Sequence, residues 1–226
     1  ETYVKRVIQE MHDDKATSTE RVIRYTWGTD AGFYRLIPQV VAFPKNENEL
    51  ATLVKHAREM KLPVTFRAAG TSLSGQAITD SILIVIGEKW NKHRVLDEGK
   101  SIELEPGIRG GRVNAILRPF GRKFGPDPAS LNACMVGGIV RNNASGMSCG
   151  TWANSDKLLE SIRLILTDGT ILDTGSEESI RTFKTTHQEI IDGIRKIRDD
   201  IRADQELTER IRYKYSIKNV MGLNLR

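Results

Sequence analysis

The residues best equipped for chemistry are Arg67-Ala68-Ala69-Gly70-Thr71-Ser72-Leu73-Ser74-Gly75-Gln76, placed directly after the apolar run Val64-Thr65-Phe66. A strand that feeds such a loop can bring several main-chain N–H groups and the Thr71, Ser72 and Ser74 hydroxyls to one point, because no bulky side chain keeps the backbone from what it holds. The chemistry of that donor set is anion binding, with a pyrophosphate as the natural guest. The loop lacks the Gly-Lys-Ser/Thr ending of a Walker loop. It also lacks G-x-G-x-x-G and the later acidic residue of a Rossmann fingerprint. Alone, its composition fits a plain turn as well as a ligand cradle.

A second set of small residues extends the pattern: Gly125-Pro126-Asp127-Pro128-Ala129-Ser130, then Val136-Gly137-Gly138-Ile139-Val140-Arg141-Asn142-Asn143-Ala144-Ser145-Gly146, then Cys149-Gly150-Thr151. Pro126 and Pro128 fix the backbone and Gly137-Gly138 permits close approach, so the two sets together suit a long, flat ligand. Cys134 and Cys149 have no nearby histidine and cannot complete a four-ligand zinc or iron–sulfur site, so they read as small buried residues and no metal is expected. His12, His56, His93 and His187 fall outside both sets and are expected at the surface. Trp27, Trp90 and Trp152 read as packing residues, Trp152 being the one placed to approach a ligand.

Elements must position these segments. Tyr3-Val4, Val7-Ile8 and Met11 recur at helical spacing over residues 1–12. The pattern from Pro38 onward is strand (Val40 to Phe43), helix (about 47 to 60) and strand (Val64 to Phe66), a βαβ unit. Asn46 and Glu49 form a capping-box-like start, and Leu50, Leu53, Val54 and Ala57 the buried stripe. Ile82-Leu83-Ile84-Val85-Ile86 is an uninterrupted apolar strand of the kind covered on both faces. A second lobe is expected from residue 94: a half-buried strand at Ile102 and Leu104, a short helix at Val113, Ile116 and Leu117, and a hairpin over residues 162–174 turning at Asp168-Gly169. Ile190, Ile194, Ile197 and Ile201 mark the longest helical stripe.

The 226 residues suffice for one two-lobed domain, and an apolar share of 39% with 28% charged residues is globular. No apolar run reaches about 18 residues and the start has no signal-peptide pattern, so a cytoplasmic protein, at most peripherally membrane-associated, is expected. Net charge is +5. Residues 181–226 hold 11 Lys/Arg against 7 Asp/Glu, an excess of 4, which on helix faces reads as solvated surface. With aromatics at 6% and no recognisable motif, nucleic-acid binding is not expected.

The order R-A-A-G-T-S-L-S-G-Q, G-P-D-P-A-S, G-G-I-V-R-N-N-A-S-G and the 162–172 hairpin resembles the FAD-binding domain of the vanillyl-alcohol-oxidase (PCMH) type, over roughly residues 25 to 226. Within that family it is most similar to FAD-linked D-2-hydroxy-acid dehydrogenases, which act on D-lactate, glycolate or D-2-hydroxyglutarate. The stretch N-N-A-S-G-M-S-C-G and the tail Lys214-Tyr215-Ser216-Ile217-Lys218-Asn219 resemble the long members fused to iron–sulfur modules. The resemblance implies an α+β, two-lobed fold: an N-terminal helical arm (1–37), a first lobe containing the βαβ unit (38–93), and a second mixed-sheet lobe (94–226), incomplete at its end. It implies that amides of Ala68, Ala69, Gly70, Thr71, Ser72 and Leu73 hold the FAD pyrophosphate, with Gln76 and the hydroxyls of Thr71, Ser72 and Ser74 adding polar contacts and Arg67 assisting by charge. Pro126, Asp127, Gly137, Gly138, Asn143, Ser145, Gly146 and Gly150 would follow the ribityl chain and isoalloxazine ring, with Pro44 and Ile171 near the adenine.

Relatives that attach flavin covalently use a histidine in the first loop; Ala68 and Ala69 here imply non-covalent FAD. Cys149 replaces an aromatic common in the family. The sequence stops before the G-S-E-G-T-L-G-like stretch and the cap that hold a small 2-hydroxy-acid substrate, and it lacks an initial methionine, as an excised fragment would. No residue matches a catalytic base, and the electron acceptor, a quinone or iron–sulfur module, would lie outside the chain. An alcohol or sugar oxidase of the same fold, and a non-catalytic nucleotide-binding or docking module, remain alternatives.

Overall fold

The computed structural model describes residues 1–11 and 15–217; His12 and the tail positions Lys218 and Asn219 lie outside the described residues. The first half of the chain runs α1 (Thr2–Met11), β1 (Thr17–Ser18), α2 (Arg21–Thr26), β2 (Val40–Ala42), α3 (Glu47–Glu59), β3 (Val64–Arg67) and β4 (Ile82–Val85). Its strands form a four-stranded sheet in the order β1-β2-β4-β3. The last three are parallel and β1 is antiparallel to β2.

Side chains of a strand alternate between faces, and each face here has its own cover. Val40, Ala42, Ile82 and Ile84 pack with Tyr3 and Val7 of α1 and with Leu50, Leu53, Val54 and Ala57 of α3. Val41, Leu83 and Val85 face the other way, against Ile23, Trp27 and Phe43. Burial on both sides is why β4 reads as an unbroken apolar run. The βαβ unit is present, but β4 lies between its two strands. Residues 68–81 therefore form the crossover from β3 back to the start of β4, and they do so without a helix. This puts the small-residue loop at the carboxyl end of β3, where open parallel sheets bind ligands.

Asn46 caps α3 by accepting from the Glu49 amide at 2.9 Å, while Glu49 reaches back to the Lys45 amide at 2.7 Å. The N-terminal helix is fastened to α3 by the Tyr3 hydroxyl donating to the Leu53 carbonyl at 3.1 Å. Burial pushes the Tyr3 hydroxyl well above the usual tyrosine range. His56 Nε2 meets Glu10 Oε2 at 2.6 Å, so this histidine, expected at the surface, is instead a buried link between α1 and α3.

The second half comprises the hairpin β5 (His93–Leu96) and β6 (Ser101–Leu104), then α4 (Gly110–Leu117), α5 (Val136–Arg141), α6 (Ser155–Leu158), the hairpin β7 (Arg163–Ile165) and β8 (Ile171–Asp173), and α7 (Glu177–Thr186), α8 (Gln188–Ala203) and α9 (Gln205–Ser216). Ile108, Val113, Leu117 and Val136 form a separate core with Ile102, Leu104, Phe124 and Val140. The two cores meet where the Gly107 amide donates to the Trp90 carbonyl at 2.8 Å; a side chain at Gly107 would collide with the Gly87 carbonyl.

The β7–β8 hairpin closes through a three-residue loop rather than the two-residue Asp-Gly turn its sequence suggests. Leu166 N donates to Thr170 O and Gly169 N to Leu166 O, both at 2.9 Å, and Gly169 takes φ +88°. Arg163 ties this hairpin to α3 through Glu47 at 2.6 Å. His187 is also buried rather than superficial, donating or accepting between Asp168 Oδ2 at 2.8 Å and Thr186 Oγ1 at 2.7 Å. Burial works against the Asp168 charge, yet the Thr170 amide and His187 together hold that carboxyl at about 2. The isoleucine stripe of α8 is helical as expected, but Ile194 and Ile197 stay 64% and 58% exposed.

Candidate functional site

The first loop is shaped by two left-handed glycines, Gly70 at φ +71° and Gly75 at φ +72°. Ser72 Oγ organises its second half, accepting from the amides of Ser74 at 3.1 Å and Gln76 at 3.3 Å. The first half is held from outside by the turn at residues 29–32: Ala31 N donates to Gly70 O at 2.9 Å, and a side chain on Gly32 would come within 2.8 Å of the Leu73 carbonyl. Among the described residues, nothing accepts a hydrogen bond from the main-chain amides of Ala69, Gly70, Thr71, Ser72 or Leu73. Adjacent amides without a protein partner present positive partial charge, the kind of donor set that can hold an anion.

Arg67 borders that patch. Its guanidinium donates to the Thr29 carbonyl and lies over the Trp27 ring with its carbon 5.1 Å from the centroid. Burial lowers its pKa, and the charge of nearby Asp30 partly restores it. Arg67 Nε and Asp30 Oδ2 are both buried without a hydrogen-bond partner.

The second segment is organised around Asp127. Its carboxylate accepts from the amides of Gly146 at 3.0 Å, Ser148 at 3.2 Å and Cys149 at 3.2 Å. Burial disfavours this charge, but the hydrogen bonds from Ser148 and Cys149 outweigh it and keep the pKa below the usual aspartate value. Gly146 makes the clasp possible, since any Cβ there would collide with the Asp127 backbone. Asn143, at φ +45°, exchanges two side-chain hydrogen bonds with Asp156 at the start of α6, at 3.0 and 3.1 Å. Gly137 packs on Pro106, whereas a Cβ on Gly138 would meet nothing within 4 Å. Ser145 Oγ is buried with no partner, and Gly150 takes φ +56°. Cys149 is a buried structural thiol, 3.2 Å from both the Gly146 carbonyl and Asn154 Oδ1.

Two expected residues make other contacts. The Pro44 carbonyl accepts from Trp90 Nε1 at 2.8 Å, and Ile171 pairs with Ile165 across the β7–β8 hairpin. Pro126 is fully buried, and Trp152 stands 72% exposed. Residue type did not mark the set that braces the first loop: Trp27, expected only to pack, with Thr29, Ala31 and Gly32. Its signal was the small-residue run Gly28-Thr29-Asp30-Ala31-Gly32 following a tryptophan.

A parallel sheet whose crossover loop leaves adjacent amides without a protein partner, in a chain whose helix α5 carries an open glycine, suits a nucleotide cofactor. The chain belongs to the FAD-binding domain family, whose match spans residues 38–175, and its cofactor is FAD. It is 30% identical over 162 residues to the D-2-hydroxyglutarate dehydrogenase of Escherichia coli (strain K12), covering 70% of this chain and 16% of that protein. It is also 30% identical over 146 residues to the glycolate oxidase subunit GlcD of the same strain, covering 64% of this chain and 29% of that protein. The chain thus spans less than a third of the length of either relative. Among solved structures, chitooligosaccharide oxidase superposes with a TM-score of 0.65 at 17% identity, covering 76% of this chain and 37% of that one. An alkyldihydroxyacetonephosphate synthase gives 0.63 at 17% identity, covering 78% and 35%. These last two establish the fold.

The residues present fit FAD. The unpaired amides match a pyrophosphate, the orphaned Ser145 hydroxyl lacks a polar partner, and Gly138 faces open space. No helix among the described residues is long and apolar enough to cross a membrane.

Proposed function

We propose that this chain is the FAD-holding part of a flavin-dependent oxidoreductase that oxidises a D-2-hydroxy acid of the D-lactate, glycolate or D-2-hydroxyglutarate type. The observation that carries the reading is the run of unpaired amides at residues 69–73, at the carboxyl end of β3, in a chain whose relatives are a hydroxyglutarate dehydrogenase and a glycolate oxidase subunit. When bound, the flavin supplies removal of a hydride from the carbinol carbon; the protein supplies orientation and electrostatics. Amides 68–73 and the Thr71 and Ser74 hydroxyls bind the pyrophosphate, each hydrogen bond to it being worth about 1.5–3 kcal/mol. Arg67 adds charge. Gly138 opens the second lobe to the ribityl chain and ring, Gly137 lets α5 sit close against Pro106 behind that opening, Ser145 offers its hydroxyl, and Asp127, Asn143 and Gly146 hold that wall in shape. Pro44 and Ile171 flank the adenine, Gln76 steadies the first loop, and Gly150 ends the second segment. With no histidine in the first loop the FAD is held non-covalently. The cap that binds a small 2-hydroxy acid, the base that takes its proton and the quinone or iron–sulfur electron acceptor belong to the longer protein, with the lobes of this chain divided near residue 93.

The test is anaerobic mixing of the full-length protein with a panel of D-2-hydroxy acids, following flavin absorbance. Bleaching by one of them and not by its L-enantiomer supports the reading. Bleaching by an alcohol or sugar and by none of the hydroxy acids replaces it.

A further inference from the structure

We propose that Trp27 is a positioning residue of the anion-binding loop: its ring and the Thr29 carbonyl fix the Arg67 guanidinium beside the residue 69–73 amides without cancelling its charge. The inference rests on the flavin reading of that loop given above.

An arginine held by a carboxylate is electrostatically neutralised and has little left for a ligand. Arg67 is held differently. Its two contacts are a main-chain carbonyl and a π-face, both of which orient a cation and leave its net charge intact. Among the described residues no carboxylate forms an ion pair with it. Asp30 acts only at longer range, and its Oδ1 is taken by the Gly32 amide at 2.8 Å. The guanidinium is aimed at the loop, because a side chain built on Gly70 would strike it.

Trp27 is itself immobilised. It packs against Val41, Leu83 and Val85 on the second face of the sheet and meets Phe43 edge-on at 5.7 Å. Position is therefore transmitted from the sheet core to the indole, from the indole to the guanidinium, and from the guanidinium to the loop. Arg67 Nε is buried without a hydrogen-bond partner, so no acceptor offsets the guanidinium charge from that side.

The experiment measures the FAD dissociation constant of the full-length protein by flavin fluorescence at low and high salt, for wild type and for Trp27→Leu, Trp27→Phe, Arg67→Gln and the Trp27→Leu/Arg67→Gln pair. Leucine keeps the apolar contact with the sheet and removes the π-face; phenylalanine keeps both. Trp27→Leu is expected to weaken FAD about tenfold and to flatten the salt dependence as Arg67→Gln does, with Trp27→Phe within about twofold of wild type. The double variant is expected to bind no more weakly than Arg67→Gln alone, the signature of one residue acting through the other. Additive losses, an unchanged salt dependence in Trp27→Leu, or failure of Trp27→Phe to rescue would overturn the proposal and leave Trp27 a packing residue. A wild type that binds no FAD at all would overturn the flavin reading and this inference with it.

Discussion

Gly138 offers the sharpest separation between folding and binding. It lies inside α5, and a Cβ there meets nothing within 4 Å, while its neighbour Gly137 already presses on Pro106, whose Cβ would be 2.8 Å from an added methyl. Alanine is favoured over glycine in a helix interior by about 0.8–1 kcal/mol, and somewhat less in a short helix, so Gly138→Ala should stabilise the apoprotein by about 0.5–1 kcal/mol. For a domain of this size that is a rise in melting temperature of about 1–4 °C. If the open side of Gly138 is where the flavin lies, the same methyl must weaken FAD, and Gly138→Leu should weaken it at least about tenfold by filling the space outright. Gly137→Ala should behave in the opposite way, costing about 1–3 kcal/mol of stability with or without FAD because the crowding is internal. Melting curves of the apoprotein and flavin-fluorescence titrations on the full-length protein read both quantities. Unaltered FAD affinity in Gly138→Leu, with the fold intact, would refute the placement of the cofactor over α5.

Other perturbations test single links. Gly146→Ala should break the Asp127 clasp and cost about 2–4 kcal/mol in urea denaturation, given three amide bonds to one partly exposed carboxylate, whereas Asp127→Asn should cost about half as much; equal stability of Gly146→Ala and wild type would remove the clasp. Leu53→Ala, at a fully buried contact between α1, α3 and the sheet, should cost about 2–5 kcal/mol, checked in the same assay. Asp168 is held at about 2 against an ordinary 3.8, so the folded state binds fewer protons than the unfolded between those values. Its contribution, about 1 kcal/mol after allowance for solvent screening, is present above pH ~4 and disappears as pH falls through about 2. Asp168→Asn should be less stable at neutral pH and should lose that acid dependence, which stability measurements across the acid range will show. Acid precipitation of the full-length holoprotein should release all of its flavin to the supernatant; flavin retained in the pellet would contradict non-covalent attachment.

Much of this was legible in the sequence wherever local rules suffice. The spacing of Leu50, Leu53, Val54 and Ala57 gave the buried face of α3, Asn46 and Glu49 its start, and the unbroken run at 82–86 a strand covered on both sides. Local rules do not state which strands are neighbours, so the insertion of β4 between β2 and β3 was not visible. Nor does periodicity say what covers an apolar face: the α1 stripe is buried at Tyr3 and Val7, while the equally regular α8 stripe leaves Ile194 and Ile197 exposed. At the site, composition marked the two loops but not their internal wiring. The Asp127 clasp spans about twenty residues, and the Arg67 contact with Trp27 spans forty, distances over which residue type carries no geometric information. His56 and His187 are buried for the same reason, each finding a distant carboxylate that spacing could not reveal.

In the proposed function the unpaired amides of residues 69–73 hold the FAD pyrophosphate. Its most direct test is titration of the full-length protein with FAD, with ADP as competitor, alongside Thr71→Asp, which sets a carboxylate at the partly exposed loop beside those amides. Saturable FAD binding that ADP displaces, weakened at least about tenfold in the variant by like-charge repulsion, is the result expected. FAD binding indifferent both to ADP and to the Thr71→Asp charge would contradict it.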